Sequence, residues 1–235
     1  MSAPKVCVYT AMFAGYDRIL EHTPQSVDCD FLVFTDDGSA VPAGQLRVII
    51  ANNPGGETLP GSQNAWLRMF PFDVPELNDY QILIYIDANV RIIDPLFVEQ
   101  ILSRCERAGA FDLMLSAHPW NICIYQEARD SQTIPKYANT DLERQIEFYR
   151  REGFPVNAGL FWNGLIVYNR SCNQPRLREF QKMYWRERMA YLKTPDAHGQ
   201  GQVTLPYCLW KCDLKIVTIP QLYRSSSLEI MPHLR

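Results

Sequence analysis

Asp87 and Asn89 stand two residues apart at the end of an apolar run, Ile82-Leu83-Ile84-Tyr85-Ile86. Their side chains offer oxygen ligands, which hard divalent cations prefer. Spaced i, i+2, both can aim at one point if the chain turns there. A branched apolar run bounded by polar residues reads as a buried strand of a mostly parallel sheet. Ligands in open α/β sheets collect beyond the carboxyl ends of the strands, so a metal or a phosphate is the natural expectation here. The pair also fits a plainer reading, with Asp87 capping the next turn and Asn89 facing water. This segment alone leaves both readings open.

The elements that would position the pair follow from hydrophobic patterning. Residues 6–10, 31–35, 46–51, 82–86, 113–117, 165–168 and 214–218 read as strands. Helices are expected at 64–70, 95–108, 140–151 and 175–192. Thr140 with Glu143 forms a capping box that would start the third helix. In the fourth, Leu177, Phe180, Met183 and Tyr184 make an apolar stripe best explained by core packing. Strands alternating with helices argue for a doubly wound α/β sheet. Three stretches break the rhythm: 52–63 (NNPGGETLPGSQ), 119–139 and 193–202 (KTPDAHGQGQ). Loops of such length in a compact domain carry function or are disordered. No repeat or linker is evident, so residues 1–235 are expected to form a single domain.

Composition narrows the class. At 235 residues, 47% apolar and 21% charged, the chain suits one large globular α/β domain. A net charge of −3 and the absence of a Lys/Arg run give no reason to expect nucleic acid. Met1-Ser2-Ala3-Pro4-Lys5 does not resemble an export signal, and no long apolar span follows. The seven cysteines are odd in number and scattered, and Cys208 with Cys212 makes a lone C-x3-C unsuited to zinc. A soluble protein of the reducing cytoplasm is expected. The fingerprints of Rossmann dehydrogenases, P-loop enzymes, α/β hydrolases and zincins are all missing.

The order of short segments then becomes recognisable. Val8-Tyr9-Thr10-Ala11, Phe34-Thr35-Asp36-Asp37, Ala65-Trp66-Leu67-Arg68, Tyr85-Ile86-Asp87-Ala88-Asn89 and Val156-Asn157-Ala158-Gly159-Leu160 together resemble a GT-A glycosyltransferase. With His118-Pro119-Trp120, Tyr125-Gln126-Glu127-Ala128 and Gln202-Val203-Thr204-Leu205-Pro206-Tyr207, the chain more narrowly resembles the DUF616 (MUCI70-type) glycosyltransferase-like domains, kin of glycosyltransferase family 8. The likeness spans roughly residues 5–215. It implies a GT-A, Rossmann-like mixed sheet flanked by helices, a nucleotide-diphosphate sugar (a UDP-sugar) as donor, a glycan or glycoconjugate as acceptor, Mn²⁺ or Mg²⁺, and retention of configuration.

Carried over by position, the resemblance gives Thr10, Ala11 and Tyr16 to the uridine, with Tyr16 as a stacking platform, and Asp36 (or Asp37) to the base or ribose. Turn formation explains one of the two acids equally well. Arg68 would reach the diphosphate or the acid at the strand end, since a guanidinium binds phosphate bidentately. Asp87 and Asn89 match the DxD motif, with His233 as the C-terminal histidine that completes the metal site. Asn157-Ala158-Gly159, with Ala88, would face the donor sugar, and Trp162 would stack on an acceptor or lie in the core. Glu127, Gln202 and His118 are the expected catalytic residues. The chain departs from the pattern twice: Asn89 brings no charge, and Gly201 stands where the family's Asp-Gln pair has Asp. Those departures keep two rivals in view, a catalytically inactive nucleotide-sugar-binding module and a glycan or lipid hydrolase acting through Asp87, His118 and Glu127. Peripheral membrane association is compatible with the reading, and oligomeric state is open.

Overall fold

The computed structural model describes residues 4–42, 44–220 and 227–233. Its contacts divide into two compact units, one of residues 1–115, 164–172 and 215–235, the other of 116–163 and 173–214.

The first unit is built on the sheet. Strands β1 (Val6–Met12), β2 (Asp30–Thr35), β3 (Leu46–Ile50), β4 (Ile82–Ile86), β6 (Leu113–Ala117), β7 (Phe161–Asn169) and β8 (Ile216–Ile219) make one seven-stranded sheet in the order β3-β2-β1-β4-β7-β6-β8. Strands β1, β2, β3 and β4 pair in parallel, whereas β7 runs antiparallel to β4, with Ile84 opposite Val167. The sheet is therefore mixed and mostly parallel, a Rossmann-like arrangement. All residues of β1 and β4 are buried, as strands covered on both faces must be. Each buried Ile or Leu there contributes about 1.5–3 kcal/mol. The edge strand β3 instead leaves Val48 and Ile50 exposed. Two short strands escape sequence patterning: β5 (Val90–Ile92) pairs antiparallel with β9 (Leu228–Ile230) as a separate ribbon. At three residues each, neither carries a readable period.

Helices α1 (Pro60–Met69) and α2 (Phe97–Ala108) also belong to this unit. Helix α1 begins four residues earlier than patterning suggests, inside the Gly/Pro-rich stretch, because Pro60 at its first turn is pre-set for helix. His22 is buried here, stacked on Phe31 at 5.1 Å, and its Nδ1 accepts the Ile92 backbone N–H at 3.2 Å.

The second unit holds α3 (Ile124–Gln132), α4 (Leu142–Arg151), α5 (Gln174–Met189) and α6 (Gly201–Lys211). Tyr149 of α4 stacks flat on Tyr207 of α6, with centroids 3.7 Å apart. Gln145 Nε2 donates to Tyr149 Oη at 2.9 Å and to Thr204 Oγ1 at 3.0 Å. With α1 already starting inside 52–63, all three expected loops are partly helical. Helix α3 lies within 119–139, and α6 begins at the end of 193–202, masked in the sequence by Gly201 and by Pro206 inside it. The stripe on α5 is buried at Leu177, Phe180 and Tyr184.

The capping box is corrected. Asp141, not Thr140, is the N-cap of α4, accepting the Arg144 N–H at 3.4 Å, while the Thr140 hydroxyl donates to the His198 carbonyl. Thr140 is taken out of the cap by its backbone bridge to Leu192. No helix among the described residues is long and apolar enough to cross a membrane.

Two stability measurements follow. Asp141→Ala should cost about 1 kcal/mol in urea unfolding, and Glu143→Ala less than about 0.5 kcal/mol; the reverse ranking would restore the capping box. Burial holds the His22 pKa down at about 4, whereas the unfolded chain takes up its proton near 6.5. Stability conferred by neutral His22 is therefore present above pH 6.5 and is lost as pH falls toward 4. The loss is on the order of 3 kcal/mol, and it should be absent from the pH profile of His22→Gln.

Candidate functional site

In the first unit, β4 delivers Asp87 to its C-terminal end, where the Val90 N–H donates to the Asp87 carbonyl at 3.0 Å and closes a turn. The Asp87 carboxyl is 26% exposed and engaged on one oxygen. Tyr85 Oη lies 2.8 Å from Asp87 Oδ1 and also 2.8 Å from Asn64 Oδ1. One hydroxyl hydrogen cannot serve both acceptors at once. Arg68 supplies positive charge, with Nη1 at 3.4 Å from the same Oδ1 and its guanidinium 5.6 Å from the Tyr85 ring centre. Burial first, then the neighbouring Asp87, raises the Tyr85 pKa well above its ordinary value, so the phenol stays a donor.

Arg68 is placed by a tyrosine scaffold. The carbonyl of Arg68 accepts from Tyr168 Oη at 2.7 Å, and Tyr9 Oη reaches the Leu67 carbonyl at 3.4 Å. Both phenols rise from sheet strands, so the last turn of α1 is fastened to the sheet beside the end of β4.

Asn89 is buried, and its Nδ2 donates to the Met231 carbonyl at 2.7 Å while the Met231 N–H donates to the Asn89 carbonyl at 2.9 Å. This extends the β5–β9 ladder, in which Val90 faces Ile230, by one step. His233 Nδ1 lies 2.5 Å from Asp17 Oδ2, and its ring centre is 5.8 Å from that of Tyr16. Among the described residues, no three His, Cys, Asp or Glu side chains form a group that could hold a metal. The carboxyl of Asp87, the amide oxygen of Asn89 and the imidazole of His233 are nonetheless donors that Mn²⁺ accepts, the first two also suiting Mg²⁺.

The other first-unit residues expected at the nucleotide lie near the ends of β1 and β2. Thr10 is buried and its Oγ1 has no hydrogen-bond partner. Ala11 is buried, and its carbonyl accepts from Asn64 Nδ2 at 3.1 Å. Tyr16 is half-buried, just after Ala14 and Gly15, both at positive φ. Both Asp36 oxygens accept the Ala14 N–H, at 2.9 and 3.1 Å, so this acid supports the strained turn that carries Tyr16 and Asp17. Asp37 caps the turn over Gly38–Ala40, and its bonds to Ser39 lower its pKa. Ala88 is buried.

The second unit gathers the three residues expected to be catalytic. Glu127, on α3, is buried, as is His118. Glu127 Oε1 accepts from Gln202 Nε2 at 2.8 Å, Gln200 Nε2 at 3.1 Å and Ser131 Oγ at 3.4 Å, and Oε2 from Asn121 Nδ2 at 2.7 Å. His118 Nδ1 accepts the backbone N–H groups of Asn121 (3.0 Å) and Trp120 (3.3 Å). The neutral ring therefore carries its proton on Nε2, which is 3.7 Å from Glu127 Oε2. Burial lowers the His118 pKa and Glu127 opposes the shift. Gln202 Nε2 is 3.2 Å from His118 Nε2. Turning that amide would satisfy the imidazole but set an oxygen against Glu127, so one side chain is shared by competing partners. Such a buried acid with a neutral imidazole beside it can accept a proton or bind sugar hydroxyls.

Asn121, Ser131 and Gln200 escape the sequence reading. Ser131 lies at i+4 from Glu127, a signal legible only once α3 is recognised. Asn157 and Ala158 are exposed, Gly159 follows at φ +86°, and Trp162 is a buried core side chain. Gly201 has a packing reason: a Cβ there would meet Tyr184 Oη at 2.4 Å and Asn163 Nδ2 at 2.8 Å.

Residues 68–159 match the family of TOD1/MUCI70, glycosyltransferase-like domains. The resemblance read from the sequence is borne out over that stretch. The match opens at Arg68 and closes at Gly159, so it contains Asp87, Asn89, His118, Glu127 and Asn157; Thr10, Tyr16, Gln202 and His233 lie outside it. No curated protein matches the chain. The family match supports a glycosyltransferase-like function in general terms for the stretch it covers.

An acid placed at 201, as the resemblance implies, tests the packing there. Gly201→Asp should destabilise the fold by about 1–3 kcal/mol through overpacking, and Tyr184→Phe, which removes the nearest atom, should return part of that loss. An unchanged urea midpoint in Gly201→Asp would show that the site has room for the acid.

Proposed function

We propose that this chain is a glycosyltransferase that moves a sugar from a UDP-sugar to a hydroxyl of a glycan or glycoconjugate, assisted by Mn²⁺ or Mg²⁺ and with retention of configuration. The observation that carries the reading is the guanidinium of Arg68 held 3.4 Å from Asp87 where β4 ends in a turn. Anionic ligands of α/β sheets bind at such strand ends, and a positioned guanidinium suits a diphosphate. Arg68 would exchange part of its contact with Asp87 for the diphosphate, leaving the Asp87 carboxyl for a cation together with Asn89 Oδ1 and His233. A cation held there supplies electrostatic stabilisation of the departing diphosphate. The unpartnered Oγ1 of Thr10 and the half-buried ring of Tyr16 support a uridine contact.

The roles that the resemblance implies for Ala88, Asn157, Ala158 and Gly159 toward the donor sugar are proposals of the same kind. So are those of Glu127, Gln202 and His118 toward the reacting hydroxyl. We take residues 1–235 to work as a single transferase domain. Seven free cysteines, several with thiol pKa values raised by burial, support work in a reducing compartment.

One rival has an observation in its favour. Asn89 adds no charge, and a Cβ at position 201 would crowd Tyr184 Oη and Asn163 Nδ2, as in a domain that binds nucleotide sugar without turnover. Thermal unfolding with UDP, GDP, CDP and TDP, each with and without Mn²⁺, separates the readings. A ligand at 100 times its Kd stabilises the folded state by about 2.7 kcal/mol. The transferase reading expects a rise in Tm with UDP that requires Mn²⁺ and disappears in Asp87→Ala. A metal-independent rise would favour the binding module, and no rise with any nucleotide would sink the donor site.

A further inference from the structure

Asp17 is none of the residues assigned to the nucleotide or the metal, yet its carboxyl meets His233. It is buried, and Oδ2 lies 2.5 Å from His233 Nδ1, while Oδ1 is buried without a hydrogen-bond partner. A carboxylate can only accept, so the imidazole nitrogen that faces it must carry the proton. In neutral His233 that leaves the lone pair on Nε2. The ring is half-exposed, at 48% of its side-chain surface, so Nε2 is not sealed within the core.

Two further constraints act on the same segment. Asn89 clamps Met231 through a backbone and a side-chain bond, and His233 follows two residues later, within about 7 Å of chain reach. Asp17 itself is carried by the Ala14–Gly15 turn, which both oxygens of Asp36 support. The acid, its turn and the clamp on Met231 all belong to one unit and converge on a single imidazole. Histidines that ligate metals usually donate their other ring N–H to a carboxylate, which fixes the tautomer and raises ligand basicity.

We propose that Asp17 is a positioning residue that locks His233 in the Nδ1–H tautomer and presents Nε2 as a ligand to the divalent cation. The inference rests on the metal-assisted reading of Asp87, Asn89 and His233. It adds that the affinity of the site is set in part by an acid from the β1–β2 connection, which touches neither metal nor substrate.

The test uses the whole chain and Mn²⁺ alone. Long-range ¹H–¹⁵N spectra report the protonated ring nitrogen, and only four histidines need be told apart, with His233→Gln supplying the assignment. Wild type should show His233 protonated on Nδ1, with its ring signals broadened by substoichiometric Mn²⁺. Asp17→Ala should release the tautomer and weaken Mn²⁺ binding about 10–100-fold by calorimetry. Asp17→Asn keeps a carbonyl oxygen able to accept from Nδ1, so it should retain most of the affinity and guards against a folding defect in the alanine variant. Nε2 protonation in wild type, or equal Mn²⁺ affinity in folded Asp17→Ala, overturns the role of Asp17. If Mn²⁺ binds in a manner abolished by Asp87→Ala while the His233 signals stay sharp, the metal site stands and this inference falls. If wild type does not bind Mn²⁺ at all, the metal-assisted reading falls first.

Discussion

The carboxyl of Asp87 is held at the end of a strand that has no exposed residue, and most of the first unit can be understood as a consequence. Burying β4 on both faces fixes the backbone at its C-terminus to within the tolerance of close packing. A charged group can sit there only if neighbours solvate it. Tyr85 and Arg68 do so on one oxygen, and each is fixed by something else: Tyr85 by the sheet, Arg68 by a helix turn bonded to Tyr168 and Tyr9. A partly exposed ion pair of this kind adds little stability. Its importance is geometric, because it keeps a guanidinium beside an acid at the strand end.

The second unit solves a similar problem with neutral groups. Glu127 is more deeply buried than Asp87, and it is surrounded by the amides of Asn121, Gln200 and Gln202 and the hydroxyl of Ser131 rather than by a cation. Amide donors stabilise an acid without committing it to one partner, and Gln202 is contested between Glu127 and His118. Gln202 faces an acceptor on Glu127 and a donor on His118, so either orientation of its amide satisfies only one of them and the network can rearrange when a new hydroxyl arrives. The two polar groups thus differ in kind, one arranged around fixed charge and the other around exchangeable hydrogen bonds.

Much of this was legible in the residues. The apolar runs located the seven strands of the sheet, and the acid–amide pair at 87 and 89 drew attention to the end of β4. The order of short motifs led to the family that residues 68–159 match. What was missed has a common cause. The ribbon of Val90–Ile92 with Leu228–Ile230 is too short to show a period, and α6 is interrupted in sequence by a glycine and a proline. Helix α3 lies in a polar stretch whose apolar side chains are too few to advertise a face. Its absence from the sequence reading concealed Ser131, one turn beyond Glu127.

The sequence by itself determined the α/β class, the buried central strands and the chemistry available at their ends, because these depend on local periodicity and on side-chain type. Only the tertiary structure decided which polar groups serve which. Asp36 supports a turn, Asp17 meets a histidine 216 residues away, and a Cβ on Gly201 would crowd the Tyr184 hydroxyl. Partners so distant in sequence leave no trace in spacing. They are chosen by the close packing that brings remote segments together, after which each buried polar atom must find a neighbour or remain unsatisfied.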